Sequence, residues 1–379
     1  MTLHLFNPEH DLALAANLSN FTSPHAGRQL RADLGYLPAI WAAKDDYVLV
    51  DNVEEAKTAY AKLVGSLMPE ASVPNFVEKH QLSRLDISRV EPWGWDLALR
   101  NSLLRYGVAP ELCPSEEEIA VIRDLSHRKT AIELLGELVD SGKGKVDGDG
   151  VIAQPKVISQ LSALRSAFGN VNCQLVLKSP WSSSGRGVRF VDSALSDQQV
   201  RWAQNVIYRQ GSVIVEPYYN KVKDFAMEFE SDGCGNVTCL GLSLFHTSNG
   251  TYTGNILALE QEKRKMISLY IPIDSLDDIQ QKICMILGRV FDGKYQGPFG
   301  VDMMIIQSPS VEKDSPYLLH PCVEINLRRT MGLVAIELSK VCPSGQVMNI
   351  EYKNQHYKLK RDVTSVAYHV AGRATQPYC

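Results

Sequence analysis

The sequence predicts a mixed α and β protein, with α/β layering through about residue 114. Three observations carry that expectation. Strands alternate with helices of layer-forming length over the first 106 residues. Beyond residue 211 the pattern changes to hairpin-like alternation and two long apolar strands. The chain has 379 residues, of which 45% are hydrophobic and 22% charged, an ordinary globular composition. That length suggests two or three domains and a core that needs neither a disulfide nor a structural metal.

Thr2–Phe6 alternates as a strand and runs into the turn-prone Asn7-Pro8. Leucines and alanines at helical spacing follow near Asp11–Ala16, and residues 26–43 form a second amphipathic stretch. Tyr47–Asp51 reads as a buried strand ending on a carboxylate, and residues 53–67 and 95–106 as helices. The first unit is placed to end near Pro114. Residues 115–139 read as one long helix, opened by Ser115 and three glutamates that suit its positive end. The run SGKGKVDGDG at 141–150 reads as a flexible loop. Strands are expected at Leu175–Lys178, Ser212–Glu216, Lys223–Glu230 and through 236–245, a helix at Leu276–Phe291, and strands at Phe299–Ile306 and Tyr317–Asn326. The polar turn SPSVEKDS separates the last two.

With 39 basic and 43 acidic residues the net charge is −4, which argues against a non-specific nucleic-acid binder. No stretch is apolar enough to span a membrane; the charge-free stretch 236–258 is broken by His246, Asn249, Gly250 and Asn255. Glu9 and Asp11 interrupt any signal-peptide core. The eight cysteines form no C-x-x-C and read as reduced thiols of a cytoplasmic protein. The nine histidines lack zinc-hydrolase spacing.

Three segments carry chemistry. In the first, a strand delivers Lys178, and Ser182, Ser183, Ser184, Gly185, Arg186 and Gly187 follow as a loop able to offer N–H groups and hydroxyls to phosphate. Such loops are also common as plain surface turns. In the second, an apolar strand leads to Glu216, Pro217 and Tyr218, with Asp224 beyond; its backbone suits an adenine edge and its carboxylate a ribose. In the third, Asp302 interrupts one apolar strand and Glu324 and Asn326 another. Two residues apart on a strand, Glu324 and Asn326 share a face, and Asp302 joins them if the strands pair. Two carboxylates and an amide suit Mg²⁺.

In that order the segments resemble the ATP-grasp superfamily, across roughly residues 115–340. Ser126-His-Arg-Lys129-Thr-Ala-Ile-Glu-Leu-Leu adds to the likeness, since it looks like the opening of that family's domain. The resemblance implies an N-terminal α/β (pre-ATP-grasp-like) domain at 1–114. A two-lobed, α+β ATP-grasp domain would follow, with lobes at 115–211 and 212–379, the second carrying the metal site and a C-terminal extension. It implies that Lys129 and Lys178 contact nucleotide phosphates and that the 182–187 loop closes over them. Glu216 and Tyr218 would face adenine, Asp224 the ribose, and Asp302, Glu324 and Asn326 the Mg²⁺, with Mn²⁺ a possible substitute. Many relatives carry an arginine two residues before the strand aspartate, where this chain has Gly300. Arg328 or Arg329 would then supply the charge; if the strand continues past Asn326, Arg328 keeps its face.

The activity implied is an ATP- and Mg²⁺-dependent ligase that joins a small-molecule or peptide carboxylate to an amine through an acyl phosphate. Lys178, Arg328 and Arg329 would be its catalytic residues, and a homodimer is compatible with it. Two other readings stand beside it: a non-catalytic ATP-binding scaffold or regulator, and a small-molecule kinase. For the second substrate, Asn7-Pro-Glu-His-Asp11, Arg28, Trp93 and Trp95 are the polar and aromatic candidates of the N-terminal unit.

Overall fold

The computed structural model describes residues 1–65, 73–140, 152, 154–168, 174–182, 187–192, 194–248, 251–307, 316–342 and 345–363. The first unit comprises β1 (Thr2–Leu5), α1 (His10–Ala16), α2 (His25–Leu34), β2 (Tyr47–Leu49), α3 (Val53–Val64), β3 (Asn75–Val77), β4 (Arg89–Pro92) and α4 (Leu97–Arg105). Its sheet has the order β3-β2-β1-β4 with every pairing parallel. Parallel strands bury both faces, and Leu3, Leu5 and Val48 accordingly lie in the core. The Asn52 side chain accepts the Glu55 N–H to start α3, and Asp96 does the same for Leu99 at α4. Caps of this kind contribute about 1 kcal/mol each. Gly65, at φ +50°, ends α3, so the helix expected to Leu67 is shorter. The stretch 26–43 divides into α2 and a 3₁₀ turn at Leu37–Ile40, because Pro38 lacks the N–H to continue a helix.

The single helix expected at 115–139 is two, α5 (Glu116–Leu125) and α6 (Arg128–Asp140). The break has local causes. Ser126 turns its hydroxyl back onto the Ile122 carbonyl, and His127 Nδ1 accepts the Lys129 N–H at 2.9 Å, as a cap would. Arg128 is thereby placed at the start of α6. Next come β5 (Lys156–Ile158), α7 (Leu161–Phe168), β6 (Leu175–Lys178), β7 (Val188–Val191), α8 (Asp197–Gln210) and β8 (Val213–Pro217). They make an antiparallel sheet, β5-β8-β6-β7. Leu177, Val213 and Val215 pack with Leu164 and Ala203 of the helices, which leaves Lys178 and Glu216 for the opposite face.

The remaining elements are β9 (Lys221–Asp232), β10 (Val237–Ser243), β11 (Phe245–Ser248), β12 (Thr251–Leu257), α9 (Glu260–Ile267), α10 (Ile273–Phe291), β13 (Gln296–Gln307), β14 (Tyr317–Asn326), α11 (Met331–Ser339), β15 (Gln346–Lys353) and β16 (His356–Val363). A central antiparallel sheet has the order β10-β9-β13-β14. Phe225, Met227, Phe229, Phe299, Val301 and Met303 pack its inner face against α10 and against Leu134, Leu135 and Leu138 of α6. The helices at 116–140 therefore share the core of the central sheet, while β8, beyond residue 211, completes the small sheet. The fourth sheet, β11-β12-β15-β16, shares a core with the first unit: Leu257, Met348 and Leu359 meet Leu34, Leu37 and Tyr60, with α11 between them. The expected loop at 141–150 and the turn at 308–315 lie outside the described residues.

Candidate active site

Register alone assembles a polar face on the central sheet. Asp302 stands opposite Glu324 on β14 and Ala226 on β9, and Gly300 stands opposite Asn326 and Glu228. Strand alternation puts Asp224, Ala226 and Glu228 on the side away from buried Phe225 and Met227. Asp302, Glu324 and Asn326 thus share one face. Burial, together with the charge of Glu324, raises the Asp302 carboxyl to about 7, against a hydrogen bond with Asn326 that works the other way. The donors are oxygens only, as a hard divalent cation requires. Among the described residues no group of three His, Cys, Asp or Glu that could hold a metal ion is found; Asn326 adds an amide oxygen to the face of the two carboxylates.

β14 ends at Asn326. There the chain turns, with the Arg328 N–H donating to the Asn326 carbonyl at 2.8 Å. The strand does not continue as the sequence allowed, yet the Arg328 side chain returns to the face. Its guanidinium donates to Asn326 Oδ1 at 2.9 Å and clamps both oxygens of Asp11 at 2.8–3.2 Å. Burial opposes ionisation of Asp11, but Arg328 holds its carboxyl below the usual range. Arg329 goes elsewhere: it pairs with Glu91 at 3.1 Å and lies over Trp41, 4.7 Å from the ring centre.

Sequence reasoning missed Glu228. Only 1% exposed, it has one carboxylate oxygen without a hydrogen-bond partner among the described residues. Burial drives it up to about 8; Asp302 adds to the rise and a hydrogen bond with Thr330 opposes it. This carboxylate explains Gly300. A Cβ at position 300 would come 2.8 Å from Glu228 Oε2, and one at Gly332 would come 2.0 Å from Oε1. The two glycines make the space that Glu228 fills. Its one sequence signal was a carboxylate alternating with Phe225, Met227 and Phe229.

Across a narrow cleft from β14 lies the small sheet, with Arg128, Ile132, Lys178, Ile214, Glu216 and Val323 lining the gap. Lys178 and Glu216, both nine-tenths buried, form an ion pair, so phosphate is not the only partner available to Lys178. Arg128 is a second residue the sequence reading passed over. It pairs with Glu324 at 2.8 Å and donates to the Ser179 carbonyl and to Ser182 Oγ. Lys129, expected at the phosphates, instead pairs with Asp124 at an exposed position, and its neighbour Arg128 takes the inward place. Asp224 bonds Lys221 and accepts from Thr247 at 3.0 Å, and its charge acts on Asp302. Tyr218 meets Phe190 edge-on at 5.8 Å, and the Phe190 ring is 62% exposed. Ser182 and Gly187 flank the expected phosphate loop, and a Cβ at Gly187 would come 2.1 Å from Ser179 Oγ. Ser183, Ser184, Gly185 and Arg186 lie outside the described residues.

No protein-family model and no curated protein matches the chain. Solved structures do. Biotin carboxylase from Campylobacter jejuni, in a β,γ-ATP complex, is similar at a TM-score of 0.50 and 14% identity, over 94% of this chain and 77% of that one. A protein from Archaeoglobus fulgidus described as of the ATP-grasp superfamily is similar at 0.45 and 12%, over 96% and 99%. The chain shares its fold with the biotin carboxylase. N5-carboxyaminoimidazole ribonucleotide synthetase from Thermus thermophilus has a TM-score of 0.44 at 13% identity, over 92% and 83%. At such identities the likeness is one of fold. No helix among the described residues is long and apolar enough to cross a membrane.

Proposed function

We propose that the protein is an ATP- and Mg²⁺-dependent ligase that joins a carboxylate to an amine through an acyl phosphate. The observation that carries the reading is the meeting of Asp302, Glu324 and Asn326 on one sheet face with Arg328, across a cleft from Lys178. Of two carboxylates set opposite one another, Glu324 is paired with Arg128 and Asp302 is raised to about 7, so this oxygen-rich face suits a further cation. Asp302, Glu324 and Asn326 would hold Mg²⁺, which when bound neutralises phosphate charge. Lys178 and Arg128 supply fixed positive charge from the small sheet and from α6, and each is kept in place by a carboxylate. Arg328, braced by Asp11, offers donors where negative charge would develop on an acyl group. Phe190 and Tyr218 provide an aromatic edge for a base. Gly300 does not speak for a scaffold, since packing around Glu228 accounts for it.

The test is ADP release with and without Mg²⁺ across amino acids, short peptides and organic acids, with product analysis. Release that needs both a carboxylate and an amine, and yields a C–N product, supports the ligase. A phosphate ester released as product makes the protein a kinase. Nucleotide binding with no turnover on any pair leaves a scaffold.

A further inference from the structure

The first unit contains a cavity of about 210 Å³, apart from the carboxylate face, at the carboxyl ends of β1 and β2. The order β3-β2-β1-β4 places β1 where successive connections change direction, and ligands of open parallel sheets collect outside the carboxyl ends near such a point. At ~30 Å³ per water the space equals about seven waters, the scale of a small metabolite.

Its charged groups are left incompletely satisfied. Arg28 and Arg31 lie one turn apart on α2 and reach the same cavity. Arg28 donates to the Ser23 carbonyl and meets no carboxylate among the described residues. Lys79, half-buried, has neither a hydrogen bond nor an ion pair there; burial and the charge of Arg31 lower its pKa. Glu9 is 8% exposed and binds Arg31 through one oxygen. Its other oxygen, and Arg31 Nε, are buried without hydrogen-bond partners among the described residues. Leu5, Leu82, Leu99 and Leu103 supply an apolar wall. A bare dianion would face Glu9 and Asp51, and a simple cation would face Arg28 and Lys79. A zwitterion on an apolar body satisfies both sets.

We propose that this cavity binds a free amino acid, its carboxylate at Arg28 and Lys79, its ammonium at Glu9 and its side chain on the leucine wall. One helix links the cavity to the carboxylate face. Asn7 and Asp96 line it and hydrogen-bond each other at 3.2 Å, and two residues beyond Glu9, Asp11 clamps Arg328. That the amino acid is a ligase substrate rests on the function proposed above; that it binds does not.

The full chain, without nucleotide, is titrated calorimetrically with each of the common L-amino acids at up to roughly millimolar concentration. The best binder is then compared with its deaminated acid, its decarboxylated amine and inorganic phosphate. At least one amino acid should bind, and loss of either head group should weaken it about tenfold or more. Lys79→Met and Arg28→Met should weaken it likewise. Lys79→Met should also leave the ligand-free melting temperature unchanged or higher, since among the described residues Lys79 makes no hydrogen bond or ion pair and its burial outweighs the attraction of Asp51 and Glu9. Glu9→Gln should weaken the amino acid but not its deaminated acid. No binding by any amino acid, phosphate binding as well as the best of them, or affinities unmoved by Lys79→Met and Arg28→Met would overturn the proposal. Because no nucleotide is present, amino-acid binding without ATP turnover would count against the ligase alone.

Discussion

Asp302→Asn should make the nucleotide-free protein more stable, and by an amount that depends on pH. The Asp302 carboxyl rises from an ordinary 3.8 to about 7 because it is buried and faces Glu324. An acid whose folded pKa is raised binds more protons folded than unfolded over that interval, so its contribution to stability falls as pH climbs. Below about pH 4 both states are protonated and Asp302 contributes nothing through this route. Above about pH 7 both are ionised, and the folded state carries the whole cost. At 1.36 kcal/mol per pH unit the cost is about 4 kcal/mol at most, and partial exposure of the side chain reduces it. Asparagine cannot ionise and can still accept from Asn326. Urea midpoints with slopes held constant should therefore show wild type and variant nearly equal near pH 4 and the variant ahead by a few kcal/mol at pH 8. Mg²⁺ should close the gap at pH 8 by stabilising the wild type alone. A difference that does not change with pH, or a wild type that is the more stable at pH 8, would refute the electrostatic account of this face.

Lys178→Met should destabilise the protein by about 3–5 kcal/mol by stranding buried Glu216, and Lys178→Met/Glu216→Leu should restore most of the loss; denaturation of the single and double variants decides it. Arg328→Ala should lower ADP release in the ligase assay by orders of magnitude, whereas Arg329→Ala, whose contacts are Glu91 and Trp41, should be mild; equal effects would remove Arg328 from the chemistry. Gly332→Ala should cost about 1–3 kcal/mol by overpacking against Glu228 and Ser243, and Gly332→Ala/Glu228→Ala should recover part of it in the same denaturation experiment.

What could be read in advance follows from where each signal lives. Strand alternation is local, so the sharing of a face by Glu324 and Asn326 was legible from two positions, and the pairing of β13 with β14 needed one further assumption. Lys129 and Arg128 show the limit. They are adjacent, both are cationic, and which one turns inward depends on the break at Ser126-His127, where side-chain hydrogen bonds to the backbone override a helical pattern. The ion pair of Lys178 with Glu216 joins residues on different strands, so reading either motif alone assigns each to a ligand and neither to the other. The short strands β3, β4, β5 and β7 went unread: each has three or four residues and, unlike Tyr47–Leu49 or Leu175–Leu177, none is a continuous apolar run.

Gly300 is the instructive case, because a missing side chain carries no information about what fills its place. In sequence it is a departure from an arginine-bearing pattern and invites the inference of lost chemistry. In the fold it is one of two glycines against a carboxylate from a third strand, 72 residues earlier in the chain. Restoring the arginine would drive a Cβ to 2.8 Å from Glu228 and force a buried, partly unsatisfied carboxylate to move. Positive charge reaches this face instead from Arg128, paired with Glu324, and from Arg328, after the turn, held to Asn326 on one side and Asp11 on the other. Gly300→Arg should therefore lower both stability and ADP release, and Gly300→Arg/Glu228→Ala should recover stability before activity. Recovery of activity by Gly300→Arg alone, above the wild-type rate, would mean that the arginine belongs at 300 and that Arg328 is only a strut between β14 and α1.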